Sequence, residues 1–213
     1  MLIGLVDYQA GNLRNVQKAV EHLGQNICVV SSGAKLKHVD AIILPGVGAF
    51  KQGMEKLTSA GFVESIRHEV LEKRKPLLGI CLGMHLIGTT GCEGGGVTPG
   101  LNLLPFSVEN FDRSVCGMRL PHVGWNGIKT SQDSRLFEGV PQYSDFYFAH
   151  SYHVQCKDKS LAVAHCDHGY SFMAAIEKDN IFATQFHPEK SQRYGLQVLD
   201  NFLSYCDVVT KNA

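Results

Sequence analysis

Three short apolar runs, LIGLVDY (2–8), AIILPG (41–46) and PLLGIC (76–81), each stop at polar residues or glycine. Runs of this length, apolar at every position before they stop, are strands buried on both faces. ICVVSS (27–32) reads as a fourth. Between them lie helical periodicities. Leu13, Val16, Val20 and Leu23 form one apolar face, with Asn12 placed to cap the helix and Gly24 to stop it. Met54, Leu57, Val63, Ile66 and Val70 carry a second pattern through residues 51 to 73, and LGMHLIG opens a third helix directly after the run at 76–81. Strand and helix in alternation imply an α/β fold, a mostly parallel central sheet with helices on both faces.

From about residue 91 the texture changes. GCEGGGVTPG reads as loop, while SDFYFAHSYHV, SFMAAIEK and NIFATQFHP read as strands, the last two joined as a hairpin around Asp179-Asn180. These are additional antiparallel strands in the second half. Leu196, Leu199, Phe202 and Leu203 close the chain with a helix over 195–206. No repeat, low-complexity stretch or linker interrupts residues 1–213, so one domain is expected.

Composition narrows the function. Twenty Lys and Arg balance twenty Asp and Glu, leaving no basic face for nucleic acid. No apolar run approaches the ~20 residues of a membrane span, and the start of the chain lacks the pattern of a secretory leader. The seven cysteines have no CxxC pairing, which favours reduced thiols and a cytoplasmic setting over a disulfide framework.

One cysteine has unusual surroundings. Cys81 lies between Gly79 and Gly83, at the carboxyl end of a buried strand where a helix begins. G-x-C-x-G has the form of a nucleophile elbow, a strained turn whose neighbours must be small. The helix start aims free N–H groups and a positive dipole end at the sulfur, and the N–H of Leu82 faces any oxyanion formed there. By itself the motif also fits a structural cysteine between packing glycines. The second signal is QFHPEKS (185–191). Pro188 holds His187 extended, and Glu189, two residues on, can project to the same side and orient its imidazole. Cys81, His187 and Glu189 are therefore candidates for nucleophile, general acid–base and orienter. In LPGVGAF (44–50), glycines flank Val47, so the backbone of Val47 and Gly48 can approach a ligand and supply a second oxyanion donor.

With DYQAGNLRNV (7–16), PGVGAF (45–50), GICLGM (79–84), LPHVGWN (120–126), FAHSYHV (148–154) and QFHPEKS (185–191), the chain resembles the class I glutamine amidotransferases nearly end to end. Within that family it is most similar to the glutaminase subunits of imidazole glycerol phosphate synthases. The resemblance implies the single-domain fold of that family and hydrolysis of L-glutamine to glutamate and ammonia through a Cys81 thioester. It implies a heterodimer with a (β/α)8-barrel cyclase that receives the ammonia in histidine biosynthesis. It also implies substrate contacts from Gly46, His85, Glu93, Ser151 and Tyr152, an oxyanion hole from Val47, Gly48 and Leu82, and a partner interface at Asn12, Asn15, Trp125 and Lys190. No cofactor and no metal are expected.

His85 departs from the family, which usually has glutamine there. An imidazole replaces one amide hydrogen bond but not both, and can carry charge near neutral pH. Ala49 also stands where the family often has histidine. Other histidines offer little by spacing: His150 and His153 are expected on opposite faces of one strand, and HCDH (165–168) has no second cluster to complete a metal site. Two rivals stay open: a paralogous subunit sending ammonia to a surface-polysaccharide sugar, and a catalytically silent docking scaffold.

Overall fold

The computed structural model describes residues 1–211. The first half builds β1 (Leu2–Val6), α1 (Leu13–His22), β2 (Asn26–Val30), β3 (Ala41–Gly46), α2 (Phe50–Ser59), α3 (Phe62–Arg67), β4 (Leu77–Cys81) and α4 (Leu82–Leu86). β1 pairs in parallel with β2 and β3, and β4 in parallel with β3. The helical pattern over 51–73 is not one helix. Gly61 adopts φ +68°, a conformation that breaks the α-helical path, and the chain restarts as α3 before ending in a π turn at His68–Glu72.

The second half adds the short β5 (Thr90–Gly91) and β6 (Thr98–Pro99), then β7 (Ser107–Asn110), α5 (Arg113–Cys116), β8 (His122–Thr130), β9 (Asp145–His150) and β10 (Tyr152–Gln155). β11 (Ala162–His168), β12 (Tyr170–Lys178), β13 (Ile181–Thr184) and α6 (Gln192–Lys211) complete the order. The nine-stranded sheet runs β2-β1-β3-β4-β13-β12-β11-β8-β9. β13 lies parallel to β4, and β12, β11, β8 and β9 extend the same sheet in antiparallel fashion. The hairpin around Asp179-Asn180 forms between β12 and β13 as expected, with Asp179 at φ +54°. A smaller sheet, β10-β7-β5-β6, packs beside it.

Alternation along the buried strands feeds two core layers. Ala41 and Ile43 of β3 face α1 and α6, with Val16, Val20, Leu199 and Phe202 in the same cluster. Ile42 and Leu44 face α2, α3 and α4 through Leu57, Ile66 and Leu86. Asn12 sits at the cap position of α1, but its side chain makes no capping hydrogen bond, contrary to the expectation. The sequence also offers the closing helix as 195–206, and α6 is longer at both ends.

Between β9 and β10 the chain leaves one sheet for the other at Ser151, and this overturns the expected opposition of His150 and His153. The alternation resets at the switch, so both imidazoles pack on Phe111, at 5.5 and 4.4 Å between ring centroids. His150 Nδ1 lies 2.8 Å from the Tyr152 carbonyl, and its Nε2 lies 2.9 Å from His122 Nδ1. A carbonyl only accepts, so His150 carries its proton on Nδ1, and His122 donates to His150 from its own Nδ1. Burial pushes His122 down to about 4, and the charge of His168 adds to the shift. Burial holds His150 well below the usual imidazole range too. Both are neutral when folded, whereas the unfolded chain takes up protons near the ordinary value of 6.5. Their contribution to stability is present above pH 6.5 and lost as pH falls toward 4. Thermal unfolding followed between pH 7 and 4 should show this loss, and His122→Asn should make the slope shallower.

Candidate active site

Cys81 is the last residue of β4, in register with Gly46 at the end of β3. Its backbone is at φ +54° and ψ −108°, a region a non-glycine residue enters only under constraint. The flanking glycines are sterically required. A Cβ on Gly79 would come within 2.5 Å of Ile87 Cδ1, and one on Gly83 would run into the carbonyl oxygen of Leu44. The elbow read from the sequence therefore forms, with its small neighbours wedged between β3 and α4.

His187 leaves β13 with an extended backbone, as Pro188 predicts, and Pro188–Lys190 then makes a 3₁₀ turn. The His187 N–H donates to the Tyr147 carbonyl (2.9 Å), and Ser191 Oγ donates to the His187 carbonyl (2.6 Å). The backbone of His187 is thus held on both sides. His187 Nδ1 lies 2.8 Å from Glu189 Oε1, with both side chains buried. The other carboxylate oxygen, Oε2, has no partner among the described residues. Burial works against charge on the imidazole, but its interaction with Cys81 and its bond to Glu189 outweigh it and raise His187 to about 9. His187 is therefore a charged, carboxylate-backed acid at neutral pH.

Cys81 and His187 line one cavity of about 190 Å³, together with Val47, Gly48, Leu82, His85, Glu93, Ser151, Tyr152 and Lys190. Gly46 is not on its wall. It lies buried below, against Tyr8 and Leu82. The turn at Val47 and Gly48 is exposed, with Gly48 at φ +102°. Glu93 reaches the cavity and also accepts a hydrogen bond from the N–H of Phe50, tying its loop to the start of α2. Ser151 and Tyr152 sit at the switch between sheets, braced by the His150 bond to the Tyr152 carbonyl.

His85 is buried one turn from Cys81, its Nε2 2.7 Å from Gln185 Oε1. Burial foremost, then the nearby His153, lower it to about 4 despite that bond. The charge an imidazole can carry near neutral pH is therefore absent here, and His85 is a neutral wall of the cavity. Asn12, Asn15 and Trp125 lie off the cavity. Asn12 is exposed and Trp125 is 47% exposed, its ring edge-on to Tyr147 at 6.1 Å. Lys190 Nζ lies 5.6 Å from the centroid of the Tyr147 ring, so Lys190 both lines the cavity and packs on the ring that Trp125 meets. Sequence reasoning missed Gln185, although its place two residues before His187 put it within reach by alternation. It also gave no role to Tyr8, although that residue lies within the DYQAGNLRNV run (7–16).

A thiol at a strained strand end, a charged imidazole backed by a buried carboxylate, and backbone turns on the cavity wall can together attack a carbonyl and hold the resulting oxyanion. Across residues 4–206 the chain matches the family model for glutamine amidotransferase class-I. It is 44% identical over 202 residues to imidazole glycerol phosphate synthase subunit HisH 1 of Campylobacter jejuni, covering 95% of this chain and 99% of that one. It is 44% identical over 202 residues to subunit HisH of Methanocaldococcus jannaschii as well, covering 95% and 98%. Among solved structures, PurLQS from Thermotoga maritima superposes with a TM-score of 0.71 at 20% identity, covering 96% of this chain and 98% of that one, a likeness of fold.

The paired carboxylate has a measurable consequence. The stability contributed by His187 is fully present below about pH 6.5 and is lost as pH rises through about 9. An NMR titration of the His187 ring should give a midpoint near 9, and Glu189→Gln should lower it by at least about one unit.

Proposed function

The chain belongs to the class I glutamine amidotransferase family, and from that premise we propose that it is the glutaminase subunit of an imidazole glycerol phosphate synthase, in histidine biosynthesis. The observation that carries this reading is the joint presence of Cys81, His187 and the Glu189-backed charge at one cavity of amino-acid size.

Cys81 attacks as thiolate, its proton already carried by His187, so that the sulfur bonds the side-chain amide carbon of glutamine and the negative charge moves to the amide oxygen. The N–H of Leu82 and the backbone of Val47 and Gly48 receive that oxyanion. As the tetrahedral intermediate collapses, His187 gives its proton to the departing nitrogen, and ammonia leaves a glutamyl thioester on Cys81. Water then adds to the thioester with His187 taking a proton, and collapse expels the Cys81 thiolate, releasing glutamate and restoring the thiolate–imidazolium pair. Glu189 stays ionised throughout and stabilises the imidazolium.

The α groups of the substrate have matching partners. The Glu93 carboxylate suits the α-ammonium, and Ser151 and Tyr152 suit the α-carboxylate. His85, neutral and fixed by Gln185, offers the substrate a single hydrogen-bonding nitrogen rather than an amide pair.

A (β/α)8-barrel cyclase is the partner this reading requires, since free ammonia would escape into water. Asn12, Asn15, Trp125 and Lys190 are its proposed contacts, and exposed Val47, Val123 and Met118 supply apolar area for a buried interface. No helix among the described residues is long and apolar enough to cross a membrane, consistent with a single-domain subunit working in the cytoplasm. The exposed turn at Val47 supports a gate: partner binding assembles the oxyanion hole, so that the chain alone is nearly idle.

Glutamate release from glutamine should be measured for the chain alone, with the cyclase subunit of its own organism, and with that subunit carrying its nucleotide ligand. The expected result is a rise of at least about 10²-fold in the loaded complex, absent in Cys81→Ala. Equal rates with and without the partner would refute the gate. No release in any mixture would refute the glutaminase reading.

A further inference from the structure

Tyr8 follows β1 at the carboxyl edge of the sheet, only 2% exposed, and its hydroxyl has no hydrogen-bond partner among the described residues. A buried hydroxyl without an acceptor is costly, and such groups usually mark a site whose partner is supplied in another state. The position of this one is specific. A Cβ on Gly46 would collide with the Tyr8 hydroxyl, and that same Cβ would lie 3.0 and 3.3 Å from Leu82 Cβ and the Gly83 nitrogen. The phenol therefore reaches the place where the end of β3, the turn at Val47 and the start of α4 meet. Gly46 is paired in register with Cys81, and Gly48 is at φ +102°, so the peptide units on either side of Val47 are flanked by residues with wide conformational freedom. Gly11, in the loop that follows Tyr8, packs on the backbone of Gly46 as well. Burial and the charge of Cys81 both raise the phenol above its ordinary value, so the hydroxyl stays protonated and acts as a donor.

We infer that Tyr8 is a positioning residue for the oxyanion turn: its hydroxyl is unpaired in the resting chain and donates to a backbone carbonyl of Gly46–Gly48 when that turn takes its productive orientation. A peptide unit carries its N–H and C=O on opposite sides. Turning an N–H of this segment toward the cavity turns the attached carbonyl toward the buried side, where Tyr8 waits. The bond forms only in the productive state, so it favours that state selectively. Tyr8 touches neither the substrate nor the reacting atoms. This role rests on the glutaminase reading above.

Tyr8→Phe keeps the ring and removes an oxygen that bonds to nothing at rest, so folding is preserved. The variant and the wild type should be compared in the ligand-loaded complex for kcat and KM of glutamate release, and as free chains for thermal midpoint and for alkylation of Cys81 by iodoacetamide. Alkylation at a carbon without a carbonyl oxyanion needs the thiol but not the turn. The expected result is a kcat lowered about tenfold or more, with KM, alkylation rate and thermal midpoint unchanged or the midpoint raised. A kcat within about two-fold of wild type overturns the inference. So does a parallel fall in kcat, alkylation rate and thermal midpoint, which would make Tyr8 a packing residue. If the wild-type complex itself releases no glutamate while Cys81 still alkylates, the glutaminase reading fails, and this role fails with it.

Discussion

The backbone of Cys81 is held at φ +54°, and the rest of the site depends on that constraint. A β-carbon-bearing residue in such a region costs on the order of 1–3 kcal/mol and persists only where its surroundings leave no alternative. Here they leave none. β4 lies between β3 and β13 near the centre of the sheet, which fixes the direction from which the chain arrives. α4 must start at once, because Leu82 and Leu86 belong to the apolar layer beneath it. The two glycines of the elbow let strand and helix come this close, and the carbonyl of Leu44 closes the space that any larger residue would need. From this turn Cys81 lines the cavity.

The charge at the site follows from a second fixed geometry. His187 is buried, and burial alone would keep it neutral, as it does for His85 and His150 nearby. What separates His187 from these is its interaction with Cys81, together with the carboxylate two residues on, held at 2.8 Å by the turn that Pro188 begins. Three imidazoles close to one cavity thus have different protonation. His187 is held charged, His85 contributes a neutral wall, and His150 braces the backbone of Tyr152. The environment of each ring, rather than its residue type, assigns the work.

Much of this was legible in the sequence, for a physical reason. Strands buried on both faces must be apolar throughout, so β1, β3 and β4 stand out, and an elbow between two glycines points to a nucleophile once His187 and Glu189 are read with it. β7, β8 and β11 were not legible. SVEN, HVGWNGIKT and AVAHCDH mix polar, small and apolar residues, because they lie toward the outer part of a sheet or in a small one, where partners distant in sequence decide the pairing. The helical run at 51–73 concealed its break, since Gly61 interrupts the backbone without interrupting the spacing of apolar residues. His150 and His153 misled because alternation holds only within one strand, and Ser151 divides two. Tyr8 lies within the DYQAGNLRNV run, but the unpaired state of its hydroxyl was not legible, because that is a property of three-dimensional surroundings.

The central claim is that the strained thiol, and no other group, takes the acyl part of glutamine. It is tested most directly by acid-quenching the ligand-loaded complex during turnover of glutamine and mapping the peptides by mass spectrometry. The account predicts one glutamyl unit in thioester linkage on Cys81, strongly diminished in His187→Asn, which lacks the acid for the departing nitrogen, and absent in Cys81→Ala. A glutamyl adduct on a different residue, or glutamate release that continues in Cys81→Ala, would contradict it.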